Sequence, residues 1–238
     1  MKLGIIAAMD IEAARIMDRM EGMSARKIGG ITYHTGKIGK CNVVCAVCGI
    51  GKVAAAMCAE GMIIGFSPDY VINTGIAGSL SEKLGIGDIA VSSAVVEHDM
   101  DTSPLGDPPG FISGPDVIEM PASEKLVSEI SAIADGFGIR HLMGVIASGD
   151  RFIADQESKK RIRDLFGAVA CEMEGAAVGH VCHVNGIPFA VIRAVSDSAD
   201  GDATEDYPSF ARRSAEVSAN IAVELALRLS GKKSEKKK

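Results

Sequence analysis

The run PFAVIRAVSD, residues 188–197, is apolar at consecutive positions apart from one arginine, and it ends in a serine and an aspartate. Consecutive apolar residues are typical of a strand covered on both faces, because alternation with polar residues appears where one face meets water. We therefore predict a buried strand at residues 189–196. Six further segments are predicted as strands, several with the same continuous pattern: 3–8, 42–48, 70–74, 88–92, 141–147 and 169–172.

Helical patterns lie between these strands. Apolar stripes at helical spacing, or helix-like sequences, occupy residues 9–20, 51–64, 126–137, 155–166, 174–185 and 217–229. This alternation predicts an α/β fold, with one domain over residues 1–230, a mixed, mostly parallel central sheet and helices on both sides. The closing residues 231–238, GKKSEKKK, are predicted to be a disordered lysine-rich tail.

The composition narrows the class of protein. The 238-residue chain is 47% hydrophobic with a net charge of −6, which suits one large core and argues against nucleic acid as a partner. No segment is long and apolar enough to span a membrane, so no membrane association is predicted. The N-terminal apolar run is soon interrupted by Asp10 and Glu12, unlike a secretory leader. The six cysteines are therefore predicted to be reduced, and the protein cytoplasmic.

Residues 98–115, HDMDTSPLGDPPGFISGP, are rich in proline, glycine and aspartate and follow neither helical nor strand periodicity. A loop of this length in a compact domain is usually functional or disordered. We interpret it as a lid or as a segment that faces a partner.

Small polar residues, glycines and acids follow the predicted strands at one end of the sheet. These exits are residues 9–12, NTGIAG at 73–78, SGDRFI at 148–153, CEMEG at 171–175 and SD at 196–197. Because ligands of open α/β sheets bind beyond the carboxyl ends of the strands, the exits predict a single site.

A few charged residues are candidates for this site. Arg193 lies inside an apolar strand, which is costly unless a carboxylate meets it. Glu12 falls at the edge of a helix's apolar face, where it either serves the site or only stabilises the helix N-terminus. Asp197 either carries chemistry or caps a turn. Of Glu172 and Glu174, one is expected to face the site and the other a cation or a helix start.

The residue spacing does not match the motifs of other common binding sites. The segment GIGK at 49–52 does not fit a phosphate-binding P-loop, and no GxGxxG follows the first strand. Cys45 and Cys48 form one CxxC pair without a second, and free cysteines are more often buried thiols than metal ligands. No metal and no cofactor are therefore predicted.

Six motifs occur in one order along the chain: GIIAAMDIE at 4–12, CGIGKVAAA at 48–56, NTGIAG, SGDRFI, CEMEGAAVGHVC at 171–182 and VIRAVSDSAD at 191–200. Together they closely resemble the bacterial 5′-methylthioadenosine/S-adenosylhomocysteine nucleosidases of the nucleoside phosphorylase superfamily. The resemblance extends over nearly the whole chain, and the EMEG and SD pairs are its most specific parts.

The resemblance implies a hydrolase that cleaves the N-glycosidic bond of 5′-methylthioadenosine and S-adenosylhomocysteine, and of 5′-deoxyadenosine. Asp197 would protonate the purine at N7, while Glu12 and Arg193 would position and activate the attacking water. Residues implied to contact or frame the substrate are Met9, Met173 and Glu174 at the ribose, Ala77, Gly78, Phe152 and Ile153 at the adenine, Ser196 beside Asp197, and Tyr207 and Phe210 at the 5′ substituent. The resemblance also implies a homodimer, in which the 98–115 loop completes the partner's 5′ pocket.

These roles agree with the chemistry of the bond. Adenine leaves readily once it is protonated, and the ribosyl group then resembles an oxocarbenium cation. The acid must hold its proton near neutral pH, so we expect burial to raise the pKa of Asp197. Glu12 is instead expected to stay ionised, a state that Arg193 would favour.

One position departs from the family pattern. Residue 76 is isoleucine, where related enzymes often carry a serine that touches the nucleophilic water. Water placement would then depend on Glu12, Arg193 and backbone groups. Glu12 would also repel phosphate, which favours water as the nucleophile.

Three alternatives stay open: a futalosine-type hydrolase, a phosphate-dependent phosphorylase and a non-catalytic nucleoside-binding protein. The joint presence of Glu12, Glu174 and Asp197 argues against the last, because binding alone does not need all three.

Overall fold

The computed structural model describes residues 1–197 and 207–231, without the side chains of residues 197 and 207–209. The strands are β1 (Lys2–Ala7), β2 (Glu21–Ile28), β3 (Ile31–Ile38), β4 (Cys41–Val47), β5 (Tyr70–Ser79), β6 (Ile89–Glu97), β7 (Met120–Pro121), β8 (His141–Ser148), β9 (Ala168–Glu172) and β10 (Phe189–Asp197). The helices are α1 (Asp10–Met17), α2 (Lys52–Phe66), α3 (Glu124–Gly136), α4 (Gln156–Phe166), α5 (Gly175–Val184) and α6 (Tyr207–Gly231). Residues 232–238 of the predicted tail lie outside the described residues, so the tail stays a prediction.

The strands form one mixed sheet in the order β10-β6-β8-β9-β5-β1-β4-β3-β2, with β7 against β6. Strand β10 pairs with β5 as well as with β6, so that β5, β6, β8, β9 and β10 close into a small barrel. The predicted mixed α/β architecture is confirmed. Parallel and antiparallel pairings are equally frequent among the described strands, and the closure was not predicted.

Two hydrophobic cores explain the continuous apolar strands. In β10, Ile192 and Ala194 belong to the core under α1, α3 and α6, whereas Val191 and Val195 belong to the core under α2 and α5. Successive side chains of a strand point to opposite faces, so a strand between two cores has no polar positions to alternate with. Helices on both sides of the sheet, as predicted, supply the two covers.

Two parts of the sheet differ from the sequence prediction. The hairpin of β2 and β3 was not predicted, because β2 is exposed along almost its whole length and its order depends on hydrogen bonds to β3. The segment NTGIAG was predicted as a loop after a strand ending at residue 74, but β5 continues to Ser79. Pairing with β10 overrides the glycines there, from Thr74 opposite Ile192 to Gly78 opposite Asp197.

The 98–115 segment is irregular apart from a single 3₁₀ turn at Ser103–Leu105 and a bridge between Ile112 and Val117. Leu105 at the end of that turn is 84% exposed. In the described parts of the chain, no helix is both long enough and apolar enough to cross a bilayer.

Candidate active site

A cleft opens at the carboxyl ends of the strands, where the sequence predicted a single site. Its empty volume is about 650 Å³ with the solvent-facing mouth included. The described residues that line it are Ala8, Met9, Glu12, Ile50, Ile76, Ala77, Gly78, Arg151, Phe152, Ile153, Cys171, Glu172, Met173, Glu174, Arg193 and Ser196. The predicted strand exits are thus brought together, including the segments after β1, β8 and β9.

Arg193 lies at the centre of the cleft's charged floor and is only 1% exposed. Its guanidinium donates hydrogen bonds to Glu172, and to Glu174 Oε2 at 3.4 Å. The Asn73 side-chain oxygen and the Ile76 carbonyl oxygen, at 3.3 Å, accept its other hydrogen bonds. The prediction that a carboxylate meets this buried cation is confirmed, and two carboxylates do so.

Glu12 is buried beside the same floor, where it both lines the cleft and stabilises the start of α1, while its role in the site stays a prediction. Its Oε2 accepts hydrogen bonds from the backbone N–H groups of Ala8 and Met9, both at 2.9 Å, and so stabilises the start of α1. Its Oε1 accepts a third from the N–H of Ile76 at 3.0 Å. Three fixed donors hold the carboxylate in one orientation at the cleft.

Gly75 lets Glu12 and Arg193 approach each other. It lies opposite Arg193 in the β5–β10 register. A Cβ at position 75 would come within 2.3 Å of Glu12 Oε1 and 2.5 Å of Arg193 Nη1. No side chain fits between the two charged groups, so the glycine is required for space.

The expected division between Glu172 and Glu174 is confirmed only in part, because both line the cleft and both accept hydrogen bonds from Arg193. Glu172 accepts hydrogen bonds from the N–H groups of Glu174 at 3.1 Å and Gly175 at 2.8 Å, at the start of α5, as well as from Arg193. Glu174 Oε1 accepts one from the N–H of Gly51 at 2.9 Å. Glu172 therefore serves both the cation and the helix start, while Glu174 is anchored across the cleft.

Burial raises the pKa values of two of these carboxyl groups. For Glu12, burial raises the pKa above its usual value, although Arg193 and the three backbone donors act in the opposite direction. As expected, Arg193 favours the ionised form of Glu12, but desolvation has the larger effect and the net shift of the pKa is upward. Burial, opposed by Arg193 and reinforced by Glu172, raises the pKa of Glu174 to about 7.

The other predicted site residues were located as follows. Met9, Ala77, Gly78, Phe152, Ile153, Met173 and Ser196 line the cleft. The backbone of Asp197 pairs opposite Gly78 after a β-bulge that follows Val195, a feature that often re-aims side chains near active sites. The side chains of Asp197 and Tyr207 lie outside the described residues. Phe210, half-buried in α6, is not among the described residues that line the cleft, and its role stays a prediction.

Some cleft residues were missed from the sequence. They are Ala8, Ile50, Arg151, Cys171 and Glu172, of which the last was weighed against Glu174 as the one that faces the site. All belong to or adjoin the six motifs, so the signal was present but did not say which neighbours face inward. Asn73, a partner of Arg193, was missed because it lies within an apolar strand.

The described residues contain no cluster of side chains suited to bind a metal ion. Within residues 1–197 and 207–231, no group of three or more His, Cys, Asp and Glu side chains could hold an ion. The six cysteines are free thiols, and all but Cys48 are buried. Burial raises the pKa of Cys45 to about 12, which leaves that thiol protonated and unreactive.

The fold and the charged floor define an α/β protein whose sheet presents a buried carboxylate–guanidinium cluster to a small-molecule cleft. Comparison with known proteins agrees: the model of the phosphorylase superfamily matches residues 2–227. The chain belongs to this superfamily and, within it, to the family of 5′-methylthioadenosine/S-adenosylhomocysteine nucleosidases, as the sequence motifs indicated.

Relatives of that name share more than a third of their residues with this chain. The Shewanella halifaxensis protein is 36% identical over 230 residues, covering 96% of this chain and all of its own length. The Shewanella loihica protein is 38% identical over 226 residues, covering 94% and 98%.

Solved structures from Helicobacter pylori have the same fold. An Asp-to-Asn variant of the nucleosidase, with 5′-methylthioadenosine in its active site, superposes with a TM-score of 0.91 at 34% identity, covering 95% of this chain and 98% of its own. A futalosine hydrolase superposes with a TM-score of 0.90 at 34% identity, covering 96% and 97%.

Proposed function

We propose that this protein hydrolyses the N-glycosidic bond of 5′-methylthioadenosine and S-adenosylhomocysteine, and of 5′-deoxyadenosine, with water as the nucleophile. The products are adenine and the corresponding ribose or thioribose. The names of the relatives support the substrate class, and the charged floor of the cleft supports the reaction.

The observation that carries the proposal is the buried Glu12 carboxylate beside Arg193. A general base must face the reacting water and have a pKa high enough to accept a proton. Glu12 is fixed by three backbone donors, lines the cleft and has a pKa raised by burial. In this role Glu12 takes a proton from water as the water attacks the anomeric carbon, and Arg193 positions both.

On the other side of the bond, Asp197 donates a proton to N7 so that adenine leaves neutral, and Ser196 orients it. The backbone of Asp197 lies opposite Gly78, which lines the cleft. The H. pylori nucleosidase that was crystallised with 5′-methylthioadenosine carries an Asp-to-Asn change, which is consistent with an essential aspartate.

The remaining residues hold the substrate. Glu174 binds the ribose hydroxyls, with Met9 and Met173 against the sugar. Phe152 stacks on adenine, the backbone of Ile153 reads its edge, and Ala77 and Gly78 form the pocket wall. Tyr207 and Phe210 border the 5′ substituent.

Phosphate is disfavoured as the nucleophile by the charge of the cleft. Among the described residues lining it, Glu12, Glu172 and Glu174 outnumber the cations Arg151 and Arg193. Arg193 is already paired with two carboxylates, so its charge is not free to bind an incoming phosphate.

The test is adenine release from 5′-methylthioadenosine with and without phosphate. We expect equal rates in both and no release by Asp197→Asn, which should still bind the nucleoside. Turnover that requires phosphate would show a phosphorylase. A protein that releases base only from futalosine would move the assignment to the futalosine hydrolases, which are equally similar in fold.

A homodimer fits the exposed apolar residues of α2. Val53, Met57 and Ile64 are exposed along one side of this helix, and Val184 is exposed at the end of the neighbouring α5. Exposed apolar side chains grouped on neighbouring helices commonly mark an interface. Ile50, 61% exposed, lines the cleft two residues before the start of α2, and in this proposal a second copy, through its 98–115 loop, completes the 5′ pocket.

The cytoplasm is the compartment that the thiols favour. All six cysteines are free, as expected where glutathione keeps thiols reduced.

A further inference from the structure

Three residues outside the cleft form a closed ring of hydrogen bonds. The Lys52 ammonium donates to Asp99 Oδ1 at 2.6 Å, and the Asp150 backbone N–H donates to Asp99 Oδ2 at 2.8 Å. The Asp150 side chain closes the ring by accepting the backbone N–H of Lys52 at 2.7 Å. Each member is therefore held by two bonds to the other two.

Two carboxylate contacts extend this ring and anchor it to the sheet and to α5. Lys52 also donates to Glu97 Oε2 at 2.9 Å, at the end of β6. The other oxygen of Glu97 lies 2.9 Å from Nδ1 of His180 in α5. The side chains of Lys52 and Glu97 are only 17% and 13% exposed, so water screens these contacts less than it does ordinary surface pairs.

The ring adjoins two segments whose residues line the cleft. Gly51, one residue before Lys52, donates its N–H to Glu174 at 2.9 Å. Immediately after Asp150 come Arg151, Phe152 and Ile153, which also line the cleft. The two segments are also joined directly, because the Gly149 N–H donates to the Glu172 carbonyl oxygen at 3.2 Å, so the ring adds a second connection between the Glu174 anchor and residues 151–153.

Two glycines allow the three chain segments to approach this closely. A Cβ at Gly51, whose φ is +101°, would lie 3.0 Å from Asp150 Oδ1. A Cβ at Gly149 would lie 2.4 Å from His98 Nε2 and 3.0 Å from Asp99 Cγ. The close approach therefore depends on the absence of side chains at these two glycines.

We propose that Lys52, Asp99 and Asp150 are positioning residues that set the distance between the ribose anchor Glu174 and the adenine wall at 151–153. None of the three is among the described residues that line the cleft, so they act through their neighbours. Loss of the ring weakens substrate binding more than the chemical step. The inference rests on the proposed nucleosidase function for its kinetic part.

The kinetic test compares wild type with Lys52→Met and Lys52→Arg. For Lys52→Met we expect KM for 5′-methylthioadenosine to rise about tenfold while kcat changes less than about threefold, since binding to ground and transition states is lost alike. Lys52→Arg should restore most of the affinity by keeping the cation. The matched control is Lys160→Met, which breaks an exposed pair with Asp164 on α4.

A second measurement does not depend on the substrate. Hydrogen–deuterium exchange of unliganded protein should show faster exchange across residues 148–153 in Lys52→Met than in wild type, Lys52→Arg or Lys160→Met. Sedimentation of each variant, with wild type expected as a dimer, checks that the change does not act through subunit dissociation.

The outcomes separate the two proposals. Wild type that releases no adenine from any nucleoside contradicts the proposed function, and the exchange experiment then decides the ring alone. If wild type is active but Lys52→Met has an unchanged KM and an unchanged rate of hydrogen exchange, the proposed positioning role of the ring is wrong. A fall in kcat at constant KM also overturns it, because that pattern places Lys52 in the chemical step.

Discussion

Arg193 and Lys52 are both cations that meet two carboxylates within one molecule, but the surroundings differ. Arg193 is 1% exposed at the floor of the cleft, and its partners Glu172 and Glu174 are buried with it. Lys52 is at the rim, with a side chain 17% exposed and a partner, Asp99, at 31%. Buried charges lose their hydration and depend on each other, whereas rim charges are partly solvated.

The difference separates two kinds of control over the site. At the floor, removing one charge leaves its partners buried and unpaired in a low dielectric. Such a change is therefore expected to lower both stability and activity. At the rim, water can replace a lost partner, so the geometry of the walls changes while the fold persists. Substitutions can test this comparison, beginning with the largest expected effect.

Arg193→Met should be the most damaging change. It leaves the carboxylates of Glu172 and Glu174 buried without their cation, which typically costs about 3–5 kcal/mol of the free energy of unfolding. Lys52→Met should cost less than that, because Lys52 and its partner Asp99 are partly solvated. Urea denaturation of both variants measures the contrast.

The loss at Arg193 should also be smaller at pH 5 than at pH 8, because protonation neutralises the stranded carboxyl groups. If Arg193→Met and Lys52→Met lost the same free energy of unfolding at pH 8, the distinction between floor and rim would be wrong.

Gly75→Ala tests the packing of the floor without changing any charge. The added Cβ would meet Glu12 Oε1 at 2.3 Å and Arg193 Nη1 at 2.5 Å. We expect a loss of about 1–3 kcal/mol from overpacking and roughly a hundredfold lower kcat/KM from displaced groups. The control is Gly136→Ala in α3, whose nearest neighbour would be Arg228 Nη2 at 3.6 Å. That change should be neutral or slightly stabilising, and a similar result at position 75 would contradict a tightly packed floor.

The last prediction concerns the proton on Glu174. Its pKa is raised from 4.5 to about 7 in the folded protein, so the folded state binds the proton more tightly than the unfolded state. The stabilisation is complete below about pH 4.5 and is lost as the pH rises through about 7. Thermal unfolding of unliganded wild type should therefore lose Tm over this interval relative to Glu174→Gln, which cannot titrate there. Parallel pH profiles would show that Glu174 is not held in its protonated form.

Much of the site could be predicted because the motifs preserve the identity of its residues. Met9, Glu12, Phe152, Glu174 and Arg193 were all named from the sequence, and all line the cleft. Which residues carry the proposed steps stays a prediction, most of all for Asp197, whose side chain is not described. The neighbours Ile50 and Arg151 were missed because a motif does not reveal which of its positions face inward.

By itself the sequence determined the two-sided burial of the strands, the convergence of polar residues at their carboxyl ends and the family. These are properties of local pattern and chain order. The tertiary structure alone decided that Glu172 and Glu174 share Arg193, that NTGIAG is a strand, and that β2 is ordered. The order of β2 comes from β3, its neighbour across the turn at residues 29–30, but the other two depend on pairing between distant segments: β10 lies beside β5, and β9 meets β5. Such pairings gain their free energy from groups far apart in the chain, and no local pattern of residues records them.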